Sequence, residues 1–193
     1  GTIKAAKSAI KSGHESLLEH VSFTFLIDGV SRALLAQLTR HRLASFSVQS
    51  QRYVGANLDV VIPETMKNPE LREDILTVLE AVEHLYNKAT GLGVPAEDAR
   101  YMTLQAGKTQ LLMTMNAREL RHFLALRECS RAQWEIRELA HKIHKICELK
   151  AIAKSSGCSH HRIFKVQTAY FYICLYHFSS SIENTGPSVQ THL

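Results

Sequence analysis

Apolar and small polar side chains alternate along residues 21–27, which read VSFTFLI, before the chain reaches Asp28 and Gly29. Alternation is typical of a half-buried β-strand, because successive side chains point to opposite faces of a sheet. An Asp-Gly pair favours a turn. The pattern therefore predicts a strand over residues 21–27 that ends in a turn at residues 28–29.

Apolar residues recur at helical spacing in five further segments of the chain. The segments with this spacing are residues 30–39, 68–91, 96–106, 116–127 and 132–149. Pro69 suits the first turn of the second segment, and Gly91 suits its end. The short apolar run at residues 109–114 predicts either a strand or an extension of a helix. The aromatic-rich residues 170–178 predict a strand, and the polar residues 179–193 are expected to be loosely structured.

This mixture of strands and helices predicts an α+β fold with a sheet flanked by helices. With 193 residues, the chain can bury a sizeable core, so residues 1–193 are expected to form a single domain. No apolar run reaches membrane-spanning length, and the start of the sequence shows no signal peptide. We therefore expect a cytoplasmic protein without a membrane partner.

The charge balance is moderately basic, with 23 Lys and Arg against 18 Asp and Glu and a net charge of +5. The pI of about 9.1 agrees with this balance. Such a chain suits an anionic ligand. The basicity is weaker than that of dedicated nucleic-acid-binding proteins, and like charges form no long run, so no nucleic-acid partner is expected.

Common catalytic motifs do not occur in the sequence. It contains no Gly-rich dinucleotide fingerprint, P-loop, nucleophile elbow or His-Glu-x-x-His motif. Its four cysteines, at positions 129, 147, 158 and 174, form no Cys-x-x-Cys pair, so we expect reduced thiols. The fragment at residues 158–161 (CSHH) lacks a second ligand pair, so no metal site is predicted. These absences favour chemistry carried by a bound cofactor.

Residues 40–52 (RHRLASFSVQSQR) form a basic segment with three Arg, one His and no acidic residue. Cations placed this closely repel one another unless an anion lies among them, and a guanidinium binds phosphate in bidentate fashion. The segment therefore indicates a phosphorylated ligand. A solvated basic loop and an RNA-contacting patch are the alternatives.

Two further segments combine charged side chains with helix-start signals. In residues 13–20 (GHESLLEH), Ser16 and Glu19 have the spacing of a capping box, and both His are expected at the surface. In residues 116–127, Asn116 can cap a helix whose third residue is Glu119.

The helix predicted over residues 116–127 places its basic side chains on two opposite faces. At about 100° per residue, Arg118 and His122 lie about 40° apart, whereas Arg127 lies about 180° from Arg118. If both arginines contact ligand, the ligand is extended or the helix lies between two sites of an oligomer. The alternative is an ordinary amphipathic helix with exposed arginines.

Four segments, in order, resemble the flavin-dependent thymidylate synthases over roughly residues 10–145. The family signature Arg-His-Arg, seven residues and Ser appears as residues 40–42 followed by Ser50. The other similar segments are residues 13–25, 115–127 and 132–137. The chain departs from the family pattern in a short start, in the tail after about residue 150, and at Ser47 and Val48, where some members carry Asn and Glu.

The resemblance implies a methyltransferase that converts dUMP to dTMP. It implies FAD as the cofactor, methylenetetrahydrofolate and NADPH as co-substrates, and a homotetramer with FAD sites at subunit junctions. In this family no enzyme cysteine attacks the uracil, which agrees with the missing nucleophile. A catalytically impaired nucleotide- or flavin-binding relative is the first alternative. An RNA-binding module is the second, although no aromatic residues interleave with the basic ones.

The resemblance also assigns residues to the two ligands. The flavin-contacting positions correspond to Ser16, Arg40, His41, Arg42, Asn116, Arg118, His122 and the backbone of Val48. The dUMP-binding positions correspond to Gln37, Arg40, Gln49, Ser50, Arg52, Arg100 and Arg127. Arg127 is the expected catalytic residue, because a guanidinium beside uracil N3 stabilises its anion and lowers its pKa. Ser50 is expected to hydrogen-bond near the substrate, since an unassisted hydroxyl is a poor nucleophile.

Overall fold

A computed structural model describes residues 2–53, 59–153 and 168–174, and its sheet has four strands. The strands are β1 (Ser22–Ser31), β2 (Ala44–Val48), β3 (Lys108–Asn116) and β4 (Thr168–Cys174). Their order across the sheet is β2-β3-β1-β4. β3 runs antiparallel to both β1 and β2, and β4 runs parallel to β1. The α+β class predicted from the sequence is confirmed.

The described helices agree with most of the sequence predictions. They are α1 (Thr2–Lys11), α2 (Arg32–Leu38), α3 (Arg72–Gly91), α4 (Ala96–Ala99), α5 (Ala117–Arg127) and α6 (Trp134–Ala153). Short 3₁₀ helices span Glu15–His20, Glu64–Met66, Pro69–Leu71 and Arg100–Met102. The prediction of a helix over residues 96–106 is too long, because the helical part ends with the 3₁₀ turn that follows α4. α1 and β2 were not predicted.

The turn predicted at residues 28–29 is wrong. β1 continues to Ser31, and its register with β3 shifts between Ile27 and Val30, which marks a β-bulge. Gly29 has φ of +74°, a left-handed conformation that a residue without Cβ adopts at little cost. The Asp-Gly pair therefore signals a backbone irregularity inside the strand.

One face of the sheet packs against α2, α5 and α6 to form the core. The apolar residues of β1 and β3 that point to this face are almost fully buried, as the alternation predicts: Phe23, Phe25, Ile27, Leu111, Met113 and Met115. The helices contribute Leu34, Leu38, Leu120, Phe123, Ile136, Leu139 and Ile143. The core thus holds the start of α2 and the whole of α5 in fixed positions on the sheet.

A buried carboxylate joins α6 to the start of α2. The Ser31 amide and hydroxyl donate to the two oxygens of Glu135, at 2.7 and 2.5 Å. The same hydroxyl accepts from the Leu34 amide and so caps α2. Burial raises the pKa of Glu135, and the Ser31 hydrogen bonds oppose that rise.

The two predicted capping boxes have different outcomes. Asn116 does cap α5, since its side-chain oxygen accepts from the Glu119 amide at 2.9 Å, but the Glu119 carboxylate binds His41 instead of returning to the cap. The box predicted for Ser16 and Glu19 is wrong. Those residues lie inside the 3₁₀ helix Glu15–His20, which has no side-chain cap.

Some sequence predictions fall outside the described residues. They concern the fragment at 158–161, the polar tail at 179–193 and the last four residues of the predicted strand at 170–178. Within the described part, no helix is both long and apolar enough to cross a membrane.

Candidate functional site

The predicted ligand-binding residues lie mainly at two opposite ends of the sheet. Ser22 pairs with Asn116 and Ala44 with Met115, so the starts of β1 and β2 meet the end of β3. The 3₁₀ helix Glu15–His20, the turn before β2 and the start of α5 therefore gather at one end, which we call the Arg127 end.

The opposite end, which we call the Arg52 end, is formed where β1 and β2 finish and β3 begins. Ser31 pairs there with Lys108, and Val48 pairs with Leu111. The residues that follow β2, the start of α2 and the 3₁₀ helix Arg100–Met102 lie around it. The four steps of β2 alone separate the two ends by roughly 13 Å.

At the Arg127 end, a chain of hydrogen-bonded side chains links α5 to the turn before β2. Arg127 Nε lies 3.0 Å from His41 Nε2, and His41 Nδ1 lies 2.9 Å from Glu119 Oε1. His41 and Glu119 are only 4% and 5% exposed. The edge of the Phe123 ring packs against the imidazole, with centroids 5.1 Å apart.

The donors and acceptors of this chain define the protonation of His41. A guanidinium can only donate, so His41 Nε2 must accept and carries no proton. The remaining ring proton is then on Nδ1, which donates to Glu119. His41 is therefore the neutral Nδ1–H tautomer, and its contact with Glu119 is a hydrogen bond. Arg127 has no other hydrogen bond among the described residues, so its two terminal nitrogens are open to a ligand.

Arg40 and Arg42 flank the buried His41 and are both exposed. Within residues 2–53, 59–153 and 168–174, neither guanidinium has an ion-pair partner in the structure. Two neighbouring unpaired guanidiniums can bind a diphosphate or another anion.

Arg118 is already paired within the chain. It contacts Glu19 and, at 3.9 Å, Glu15, while Arg121 binds Glu15 at 2.8 Å. All four side chains are about half exposed, so the network adds little stability. Arg118 thus faces the 3₁₀ helix Glu15–His20, and Arg127 faces His41, as the helical spacing predicted. An anion reaching Arg118 has to displace Glu19.

Two other predicted flavin residues lie close to this network. Ser16 is exposed on the same 3₁₀ helix, and His122 is exposed on α5 with its ring 6.1 Å from that of His41. Asn116 uses its side-chain oxygen for the helix cap, which leaves its amide nitrogen as the ligand-facing group. Val48, however, lies at the Arg52 end as the last residue of β2.

At the Arg52 end, Glu97 holds the predicted dUMP residues together. Its Oε2 accepts from Arg52 Nε at 2.9 Å and Nη2 at 2.7 Å, and its backbone carbonyl accepts from Arg100 Nε at 3.1 Å. The Ser50 hydroxyl accepts from the Arg52 amide at 3.1 Å. Gln49 hydrogen-bonds to β3 through its backbone. Glu97 was not among the residues predicted from the sequence.

A polar cleft of about 280 Å³ opens beside these residues. It is lined by Arg32, Gln51, Arg100, Tyr101, Thr103, Leu104 and Gln105. Arg32 Nη1 is buried and has no hydrogen-bond partner among the described residues. Burial, together with the charge of Arg100, holds the pKa of Arg32 below its usual value. Two cations facing one cleft would be stabilised by an anion between them.

Arg32 was also missed by the sequence analysis. One signal could have found it: it is the first residue of α2, and a cation is unfavourable at the N-terminal end of a helix dipole. Gln37, which was predicted, lies half-buried in the last turn of the same helix, between the two ends of the sheet.

The described cysteines and possible metal ligands suggest no further chemistry. Cys129 and Cys147 are free thiols, as predicted. Burial raises the pKa of Cys147 to about 11, whereas hydrogen bonds from Arg131 lower that of Cys129. Over the described ranges, no group of three His, Cys, Asp or Glu is placed to hold a metal ion.

A family model described as thymidylate synthase complementing protein matches residues 3–151. The flavin-dependent thymidylate synthase of Geobacter sulfurreducens is 51% identical over 132 residues, covering 66% of this chain and 57% of the relative. That of Pyrococcus furiosus is 50% identical over 137 residues, covering 68% and 56%. That of Pyrococcus abyssi is 47% identical over 152 residues, covering 74% and 62%. The matched part of the chain thus spans about three fifths of the length of these relatives.

Proposed function

Because the chain belongs to the thymidylate synthase complementing proteins, the family of the flavin-dependent thymidylate synthases, we propose that it methylates dUMP to dTMP. FAD is the proposed cofactor, and methylenetetrahydrofolate and NADPH are the proposed co-substrates. The names of the relatives support this activity. The family match does not favour the RNA-binding alternative.

The observation that carries the proposal is the buried Arg32 Nη1 in the cleft with Arg100, which has no hydrogen-bond partner in the part of the chain that the structure describes. A buried donor without a partner is costly, and a phosphate beside it would accept from both arginines at once. Ser50 and Arg52 lie at the same end of the sheet. We therefore assign the phosphate of dUMP to this cleft, and the hydroxyl of Ser50 to hydrogen bonding beside it.

The Arg127 end fits the cofactor. The exposed guanidiniums of Arg40 and Arg42 have the charge that the FAD diphosphate requires, and Asn116, Arg118, His122 and Ser16 lie around them. Hydride transfer to the one-carbon unit is the chemistry that such a flavin supplies when bound. The terminal nitrogens of Arg127 would donate to the uracil, stabilising its N3 anion and enriching C5 in electrons.

We propose that a complete site is formed by two copies of the chain. The Arg127 end and the Arg52 end lie at opposite ends of β2. In the proposed reaction, one dUMP molecule contacts residues of both ends. Ligand held between one chain's Arg127 end and another chain's Arg52 end would bring both groups to one nucleotide. We therefore propose that the sites lie at subunit junctions, as in the homotetramer that the family resemblance implies.

Binding measurements with three ligands test the phosphate assignment. Arg32→Ala should weaken dUMP binding by about tenfold or more, because a hydrogen bond to a charged group is lost. Deoxyuridine, which lacks the phosphate, should bind Arg32→Ala as it binds the wild type, and the dUMP affinity of the wild type should fall with salt. Arg72→Ala, at an exposed arginine of α3, is the matched control. Equal dUMP affinity in the two variants would contradict the assignment.

A further inference from the structure

The hydrogen-bond chain from Glu119 through His41 to Arg127 has a feature that the proposed reaction does not explain. Two of its three members are almost fully buried, and the carboxylate reaches the arginine only through an imidazole. If only the attachment of the turn before β2 to α5 mattered, a direct contact of Glu119 with a backbone amide would serve. The geometry instead connects Glu119 to one particular guanidinium nitrogen.

We propose that Glu119 is a positioning residue that holds Arg127 in its working orientation through the tautomer of His41. This inference rests on the proposed function, because it assigns a purpose to the orientation of Arg127. It adds a residue that the resemblance did not assign to any ligand.

The Glu119 carboxylate determines which nitrogen of the His41 ring carries the proton. Neutral imidazole carries its proton on either nitrogen, and only the Nδ1–H form presents a lone pair to Arg127. The Glu119 carboxylate accepts from Nδ1–H at 2.9 Å and so stabilises this tautomer. In the other tautomer, Nε2–H would point at Arg127 Nε–H, and two donors would face each other.

The hydrogen bond to His41 uses one of the donor nitrogens of Arg127 and leaves the two terminal nitrogens. His41 accepts from Nε alone, at 3.0 Å. A guanidinium is planar, so a bond at Nε fixes the plane that also contains its two terminal nitrogens. Those nitrogens stay free to donate to a planar uracil edge. Orientation of this kind contributes to catalysis, since a displaced donor no longer meets the developing charge.

The surroundings of the His41 ring hold it in place. The Phe123 ring, on α5, packs in an edge-to-face arrangement with the His41 ring, which limits rotation of the imidazole. Glu119 is itself fixed, because its backbone amide donates to the capping side chain of Asn116. The chain therefore runs from the first turn of α5, through the neighbouring turn, to the last residue of the same helix.

Kinetics of Glu119→Ala test the proposal against a purely structural role. Loss of a hydrogen bond to a charged group should lower kcat by about 10- to 100-fold. The pH at which kcat reaches half its maximum should rise, because a misplaced Arg127 stabilises the uracil anion less. In an Arg127→Ala background, Glu119→Ala should produce little additional loss, since both changes remove one interaction.

Glu135→Gln is the matched control, because Glu135 is equally buried on a neighbouring helix and does not contact His41 or Arg127. Assays are made below the unfolding transition of every variant. The control should keep the wild-type pH profile. A Glu119→Ala profile that matches the wild type, or losses that multiply fully with Arg127→Ala, would overturn the positioning role.

Nitrogen-15 NMR of the His41 ring measures which ring nitrogen is protonated and requires no enzyme turnover. The wild type should show a protonated Nδ1 and an unprotonated Nε2, and Glu119→Ala should lose that preference. A wild-type ring with its proton on Nε2 would overturn the proposal directly. An inactive wild type that still shows Nδ1–H would contradict the proposed function and leave the hydrogen-bond chain standing.

Discussion

The division of the proposed site between the two ends of the sheet predicts that inactive variants restore each other. Arg127→Ala removes the functional group of one end, and Arg52→Ala removes that of the other. If each active site takes one end from each of two chains, a mixed pair has one site with both lesions and one site with none. Neither variant alone can form an intact site.

The expected recovery follows from counting. When equal amounts of the two variants are unfolded and refolded together, half of the pairs are mixed. One site in two is intact in a mixed pair, so about a quarter of wild-type activity should return. The roughly 13 Å spanned by the four steps of β2 is the basis for the proposal that two different chains supply these groups to one uracil nucleotide.

The assay is dTMP formation at a dUMP concentration well below the wild-type KM, where a loss of dUMP binding lowers the rate, measured for each variant alone and for the refolded mixture. Arg52→Ala mixed with Arg100→Ala is the matched control. Both lesions lie at the same end, joined through Glu97, so every site in that mixture is damaged and no activity should return. Equal recovery in the two mixtures, or no recovery in either, would refute the reasoning.

Three further predictions follow from individual contacts. Burial raises the pKa of Glu135 from its ordinary 4.5. The contribution of Glu135 to the free energy of unfolding is therefore greatest below pH 4.5 and is lost as pH rises through the folded-state pKa. Denaturant titrations across this pH range should show the loss in the wild type and not in Glu135→Gln. Glu19→Gln should change the free energy of unfolding by less than about 1 kcal/mol, because the ion pair of Glu19 with Arg118 is exposed. The same change should tighten FAD binding, because it frees Arg118. Weaker FAD binding in a fluorescence titration would contradict that role. Iodoacetamide at mildly alkaline pH should alkylate Cys129 well before Cys147, whose pKa is raised to about 11. Mass spectrometry of the two cysteine-containing peptides measures the order, and earlier alkylation of Cys147 would contradict the prediction.

Local patterns predicted the elements whose signal lies within one segment. The alternation over residues 21–27 identified most of β1, and helical spacing identified α2, α3, α5 and α6. The cap at Asn116 was also predictable, because it depends on a residue three positions away. These features require no knowledge of where other segments lie.

Predictions were wrong where a distant partner decides the outcome. β2 was missed because its charged flanks hide a short strand that pairs with β3. The capping box at Ser16 and Glu19 does not form, because Glu19 instead pairs with Arg118, far away in sequence. Arg32 acquires its character only when folding buries it beside Arg100.

The site itself was predictable as a set of residues and not as an arrangement. The resemblance named members of both ends but could not separate them, since Arg42 and Arg52 belong to one short basic segment. The intervening strand places them at opposite ends of the sheet. The Glu119 link to His41 was missed for a related reason, because the local sequence assigns that glutamate to a helix cap.

The most direct test of the account is dTMP formation from dUMP by the 193-residue chain, measured with and without added FAD. Methylenetetrahydrofolate and NADPH are supplied in both reactions, and bound flavin is removed beforehand. The account predicts dTMP only when FAD is present. Equal dTMP in both reactions, or none in either, would contradict it.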